Sequence, residues 1–150
     1  MGRALAPTEP EGRKTVTLYL LDTNIISYFI KGIHPALVRR MDEATQAQTT
    51  VTSVICRAEL RYGQSLMAHD DKRRKAIDLL LHELPALPWT AVAADRYGEI
   101  QAHLKRQGTP IGELDTQIAA HAVAEDLILV THNTRHFEKV PGLKLEDWMA

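Results

Sequence analysis

Two short apolar runs that each end at polar residues most constrain what this chain can fold into. Residues 17–21 lead directly into Asp22, and residues 127–131 lead directly into His132 and Asn133. Runs of this length and composition are typical of strands that are buried on both faces of a parallel sheet. Ligands of such folds bind beyond the carboxyl ends of the strands. We therefore expect both sets of polar side chains to reach the same crevice.

The segments between these runs carry helical patterns, and the alternation predicts an α/β fold. We expect an α/β/α sandwich with a mostly parallel central sheet of about five strands. Helices are predicted at 25–30, after Pro35, at 53–67, at 70–83, from Thr90 to about Leu104, and from Asp115. Further strands are predicted at 49–52 and 143–148, and the proline-rich segment 84–89 is compatible only with an edge strand.

The length of 150 residues indicates one domain, and 45% hydrophobic with 25% charged residues is typical of a globular protein. Residues 1–14 have almost nothing to bury and are predicted to be a disordered leader. No apolar run approaches a membrane span and no signal peptide is evident, which favours a soluble cytoplasmic protein. The net charge is −1, so a nucleic-acid site would need a local basic patch, with Arg135, Lys139 and Lys31 as candidates. The single cysteine, Cys56, excludes an intramolecular disulfide and is interpreted as a buried apolar residue.

Three carboxylates lie at or within otherwise apolar segments: Asp22, Glu59 and Asp115. Buried carboxylates are rare unless they are paired or bind a metal, and Mg²⁺ and Mn²⁺ prefer oxygen ligands. A shared cation site is the interpretation we favour. Structural alternatives are that Asp22 and Asp115 each cap a helix and that Glu59 pairs with Arg57 or Arg61.

Such a site predicts phosphodiester hydrolysis. A divalent cation on these ligands would stabilise charge on a phosphate and lower the pKa of a water molecule, making a nucleophile for in-line attack. The carboxylates would be ligands first, and one of them could double as a general base.

Four stretches carry a resemblance to a known family. Residues 20–24 read Leu-Leu-Asp-Thr-Asn, residues 53–63 carry Glu59, residues 110–122 carry Asp115, and residues 129–143 follow the late strand. Their sequences, order and spacing resemble those of the PIN-domain nucleases, and most of all those of the VapC toxins of bacterial toxin–antitoxin pairs. The similarity covers about residues 17–148, which implies a PIN-like fold and a PIN nuclease domain over residues 15–150.

The resemblance implies a Mg²⁺- or Mn²⁺-dependent endoribonuclease with Asp22, Glu59 and Asp115 as metal ligands. Thr23 and Asn24 match positions whose hydroxyl and amide support the site in that family. The implied partners are a VapB-type antitoxin, whose tail occupies the active-site groove, and a second copy of the chain. The implied substrate is structured RNA, with cleavage of tRNA in the anticodon stem-loop as the specific expectation.

One position departs from the family pattern. Many PIN domains carry a fourth acid after the late strand, where this chain has Asn133. An amide can still ligate a metal or orient a water, so Asn133 is counted among the catalytic residues. Glu113, His132 and Arg135 form a second tier of candidates. His132 and His136 could each serve as a metal ligand or general acid, but a surface loop histidine is the interpretation favoured for both.

Two other functions stay open at the level of sequence. A haloacid-dehalogenase-like phosphohydrolase would use Asp22 as nucleophile, but it needs an acid two residues later, where the chain has Asn24. A non-catalytic RNA- or protein-binding module on a degenerate PIN fold is left open by Asn133. DNA is a possible substrate as well, because carboxylate-bound metals hydrolyse both nucleic acids and only substrate shape or a 2′-hydroxyl contact distinguishes them.

Overall fold

The computed structural model describes residues 16–150, so the predicted leader at 1–14 lies outside the described residues. The described part contains five strands and seven helices. In chain order these are β1 (Tyr19–Leu21), α1 (Thr23–Lys31), α2 (Pro35–Gln46), β2 (Thr50–Ser53), α3 (Val54–Leu66), α4 (Lys72–Glu83), β3 (Ala86–Leu87), α5 (Ala91–Arg106), α6 (Glu113–Ala124), β4 (Ile128–Val130), α7 (Thr134–Phe137) and β5 (Lys144–Glu146). None of these helices is both long enough and apolar enough to cross a membrane.

The five strands form one parallel sheet in the order β3-β2-β1-β4-β5. The central strand β1 places Leu20 opposite Val51 of β2 and opposite Leu129 of β4. From β1 the chain builds one half of the sheet outward through β2 and β3, and it then returns to add β4 and β5 on the other side. The switch point between β1 and β4 opens a crevice at the carboxyl ends of the strands. Asp22 and Asn133, which follow these two strands, therefore emerge at the same edge, as predicted.

Helices cover both faces of the sheet because successive strand residues point in opposite directions. Leu20 and Leu129 belong to the apolar cluster that includes residues of α5 and α6. Leu21 and Val130 belong to a second cluster, which includes residues of α1, α2 and α4. All four leucine and valine side chains are fully buried. The predicted α/β/α sandwich with a parallel sheet is thus confirmed.

Most predicted boundaries of helices and strands lie within a few residues of the observed ones, because capping and turn residues mark them in the sequence. Ser53, at the start of the helix predicted over 53–67, caps α3 by accepting a hydrogen bond from the amide of Ile55 at 3.0 Å. Thr90 likewise caps α5 by accepting from Ala93 at 3.1 Å. The proline-rich segment forms only the two-residue strand β3, which lies at the edge of the sheet. Pro lacks an N–H for the ladder, and the edge position tolerates that loss.

Asp22 is the N-cap of α1, which is the capping role considered for it from the sequence. The short helix α7 was not predicted at all, since a single turn carries too little periodic pattern to be recognised.

Cys56 is fully buried, and burial raises the pKa of its thiol to about 12. Its interpretation as a buried apolar residue is confirmed.

Candidate active site

Asp22 lies at the junction between β1 and α1 and is only 3% exposed. Its Oδ1 accepts a hydrogen bond from the backbone N–H of Ile25 at 2.8 Å. Burial raises the pKa of the carboxyl group to about 6, and the negative charges of Asp115 and Glu59 contribute to the rise, while hydrogen bonding by Thr131 and Ile25 opposes it. Asp22 is therefore both a helix cap and a buried carboxyl group that lies near two other acids.

Glu59 lies in the middle of α3 and is tied to α1 by a threonine. The hydroxyl of Thr23 donates a hydrogen bond to Glu59 Oε1 at 2.6 Å. The alternative arginine pairings do not form: Arg57 donates to the carbonyl oxygen of Leu81, and Arg61 forms an ion pair with an aspartate of α4. The Glu59 carboxylate is consequently held towards Asp22 by the residue that follows Asp22 in the chain.

Asp115 lies in the first turn of α6, whose N-cap is Gly112 rather than Asp115. The capping alternative for Asp115 is therefore wrong, and the carboxylate is directed elsewhere. Its Oδ2 lies 2.8 Å from Nε2 of His136, which also lies 3.1 Å from the carbonyl oxygen of Ile111. Because both neighbours are acceptors, His136 carries a proton on Nε2 and donates it to them.

The contact with His136 is the part of the site that sequence reasoning missed. His136 belongs to α7 and is half-buried against α6, so its interpretation as a surface loop residue is wrong. No sequence signal links it to Asp115, which is 21 positions away. Only the packing of α7 beside α6 brings the two side chains together.

The three carboxylates line one small cleft of about 120 Å³. Thr23, Asn24 and the apolar Ile118 complete its walls. The donors are all oxygen atoms, and the pKa of Asp22 is raised by burial first and by the charges of Asp115 and Glu59 in addition, so a hard divalent cation fits the chemistry of this cleft. Within residues 16–150, no three Asp, Glu, His or Cys side chains lie close enough together, as placed, to hold a metal ion. Asp22, Glu59 and Asp115 thus line the same cleft, but their side chains do not form a common ligand set as placed.

Asn133 and His132 do not line this cleft. They form, with Asn24 and Tyr28, a second depression beside it, and Asn24 lines both. Asn133 is exposed, and its side chain caps no N–H of α7. His132 is held by Asp147, whose Oδ2 lies 3.1 Å from Nδ1 of the imidazole. The predicted position of the fourth acid thus lies next to the three carboxylates but in a different recess.

The remaining second-tier candidates occupy the rim. Glu113 lines an open depression together with Glu59 and Asp115, in the first turn of α6. Arg135 is exposed on α7, one residue before His136. Neither side chain lines the cleft that contains Asp22.

The comparisons with known proteins agree with this fold. The model of the PIN domain family matches residues 19–143. Since this match spans most of the chain, the protein is a member of the PIN-domain family. That membership excludes the haloacid-dehalogenase alternative.

Within the PIN domains, the chain belongs to the VapC family. It is 40% identical over 130 residues to the tRNA(fMet)-specific endonuclease VapC of Shigella flexneri, covering 87% of this chain and 97% of that relative. It is 34% identical to the ribonuclease VapC2 of Rickettsia felis, with 87% and 98% covered. The crystal structure of VapBC2 from Rickettsia felis bound to a promoter DNA fragment superposes with a TM-score of 0.81 at 33% identity, covering 88% of this chain and 99% of that one. A DNA-bound VapBC from Salmonella typhimurium superposes with a TM-score of 0.82 at 33% identity, with 89% and 99% covered.

Proposed function

We propose that this protein is a metal-dependent endoribonuclease and the toxin of a type II VapBC toxin–antitoxin pair. The observation that carries the proposal is the position of Asp22, Glu59 and Asp115 around one cleft at the switch point of the sheet. The names of the relatives from Shigella flexneri and Rickettsia felis support nuclease activity on RNA. Cytoplasmic action, where RNA and antitoxin would be met, is part of the proposal.

Asp22, Glu59 and Asp115 would hold Mg²⁺ or Mn²⁺. When bound, such an ion supplies charge stabilisation for a phosphate and acidifies a water molecule. The protein must supply ionised carboxylates in fixed orientations. Thr23 orients Glu59 and His136 orients Asp115, each through one hydrogen bond. Polar groups behind a ligand that fix it in this way typically matter for metal affinity.

The proposed substrate is structured RNA, with tRNA cut in the anticodon stem-loop as the specific target. The support is the name of the Shigella flexneri relative, which specifies tRNA(fMet). The proposed partners are a VapB-type antitoxin and a second copy of the chain. Similar structures that have been solved are VapBC complexes, and this supports an antitoxin as partner.

The test is cleavage of total bacterial tRNA by purified, antitoxin-free protein with Mg²⁺ or Mn²⁺. Discrete fragments should appear and should vanish with EDTA and with Asp22→Asn. Asp42→Asn, which changes an exposed acid of α2, is the matched control and should cleave normally. End-mapping then locates the cut. If folded, metal-replete protein leaves tRNA and other structured RNAs intact, the function is that of a non-catalytic binding module.

A further inference from the structure

The depression beside the carboxylate cleft has two aromatic walls. The rings of Tyr28 and His132 stand nearly perpendicular, with centroids 5.9 Å apart and planes at 84°. The Nδ1 contact with Asp147 fixes the imidazole, yet the His132 side chain stays 49% exposed. An exposed ring that is held in place by a partly buried partner offers a preorganised surface for stacking.

Amide groups complete the depression. Asn24 and Asn133 line it and are both exposed to solvent. Each amide carries an acceptor oxygen and two donor hydrogens, the combination that recognises the polar edges of nucleobases. The depression has a volume of about 260 Å³, enough for one base.

The position of the depression connects it to the proposed chemistry. Asn24 forms part of the wall of both recesses, so an occupant of the depression lies directly beside the three carboxylates. The ammonium group of Lys31 lies 5.6 Å from the centre of the Tyr28 ring. Lys31 lines a neighbouring pocket rather than the depression itself, and a cation there can contact a phosphate without reading sequence.

We infer that the depression formed by Asn24, Tyr28, His132 and Asn133 is a subsite for one unpaired RNA base adjacent to the cleaved phosphate. The inference rests on the proposed ribonuclease function. An aromatic ring supplies stacking and the two amides supply hydrogen bonds to the edge of the base, the mode by which proteins read splayed-out bases in RNA loops. This assigns Asn133 and His132 to substrate recognition rather than to metal binding.

The test uses the full chain in EDTA and a short single-stranded oligoribonucleotide that contains 2-aminopurine. Stacking should quench the fluorescence of the probe. His132→Ala should weaken binding about tenfold, the loss expected for one base–aromatic stack. His132→Phe keeps an aromatic face and should retain most of the affinity. Tyr62→Ala, which removes an exposed ring of α3 outside both recesses, is the matched control.

Several results would overturn the inference. These are unchanged binding by His132→Ala, an equal loss in Tyr62→Ala, or displacement of the probe by inorganic phosphate but not by unphosphorylated nucleosides. The last result would reduce the site to a phosphate contact. Circular dichroism on each variant checks that it remains folded.

Asn133→Asp separates base recognition from the role of a fourth acid. If Asn133 recognises a base, Asn133→Asp should change the preference of the subsite among nucleosides. The affinity for Mn²⁺, measured by calorimetry, should stay unchanged. Tighter Mn²⁺ binding with unchanged nucleoside preference would overturn the assignment of Asn133. The binding measurement needs neither metal nor cleavage. If the protein cleaves no RNA but still binds the probe in a way that depends on His132, the nuclease proposal is refuted and the base subsite is retained.

Discussion

Asp22 and Asp115 face the same cleft but are held there in different ways. Asp22 is 3% exposed and is anchored by its own chain, through the N–H of Ile25 three residues later. The Asp115 side chain is 39% exposed and is oriented by His136, which comes from another helix. The buried carboxylate is fixed by a strand–helix junction, whereas the exposed one depends on tertiary packing. We therefore expect substitutions on the two sides of the cleft to have different consequences.

The largest effect is expected from removing the buried carboxylate. Asp22→Asn should lower the cleavage rate about a thousandfold or more, because it removes a charge that the proposed cation requires and such ions contribute several kcal/mol to the barrier. The amide oxygen of asparagine can still cap α1, so the fold should persist. Cleavage kinetics alongside circular dichroism measure both effects. A folded variant that cleaves at the rate of Asp42→Asn would refute the role of Asp22.

The pH dependence of stability should report on the buried carboxyl group of Asp22. Asp22 has a pKa raised from 3.8 to about 6, so the metal-free folded state binds the proton more tightly than the unfolded state. This contribution is fully present below pH 3.8 and is lost as the pH rises through about 6. It corresponds to about 3 kcal/mol of unfolding free energy. Asp22→Asn should remove this loss and be more stable than the wild type at neutral pH.

Urea unfolding in EDTA across this pH range measures that contribution. Asp115→Asn is the matched comparison, and it should retain most of the pH dependence due to Asp22, because burial is the main cause of the raised pKa and the charge of Asp115 adds only a smaller part. If the unfolding free energy of wild type and of Asp22→Asn depends on pH in the same way, burial does not raise the pKa of the Asp22 carboxyl group in the protein in solution.

A smaller effect is expected when Asp115 loses its orienting partner. His136→Ala removes the Nε2–H donor and should weaken Mn²⁺ binding by up to about a hundredfold, the upper end for polar groups behind a metal ligand. His136→Gln restores a donor amide and should recover part of the affinity. Calorimetric Mn²⁺ titration is the readout, with His82→Ala of the exposed face of α4 as the control. Equal affinities for all three variants would contradict the orienting role.

The smallest effect should come from Thr23. Thr23→Val keeps the shape of the side chain but removes the 2.6 Å hydrogen bond to Glu59. We expect about a tenfold loss of Mn²⁺ affinity and about 1 kcal/mol of unfolding free energy. Thr23→Ser should retain both. A stability loss without any change in Mn²⁺ affinity would indicate that the Thr23–Glu59 contact only joins α1 to α3.

Local chemistry accounts for the parts of the site that were predicted from sequence. The carboxylates Asp22, Glu59 and Asp115 each interrupt an apolar segment, a conflict visible without coordinates. The structure brings them around one cleft. The apolar runs also identified β1 and β4, and the polar residues after them identified the correct edge of the sheet. Asn133, however, was predicted to join the carboxylates and instead lies in the neighbouring depression.

The sequence by itself determined the strands, the caps of α3 and α5, and the acidic character of the site, because these depend on contacts within a few residues along the chain. The tertiary structure decided that His136 would orient Asp115 and that Tyr28 and His132 would share a recess. Those contacts join residues that are far apart in the chain. Their formation depends on how α7 and the β4–α7 connection pack against α6 and α1, and no local pattern of residues encodes that packing.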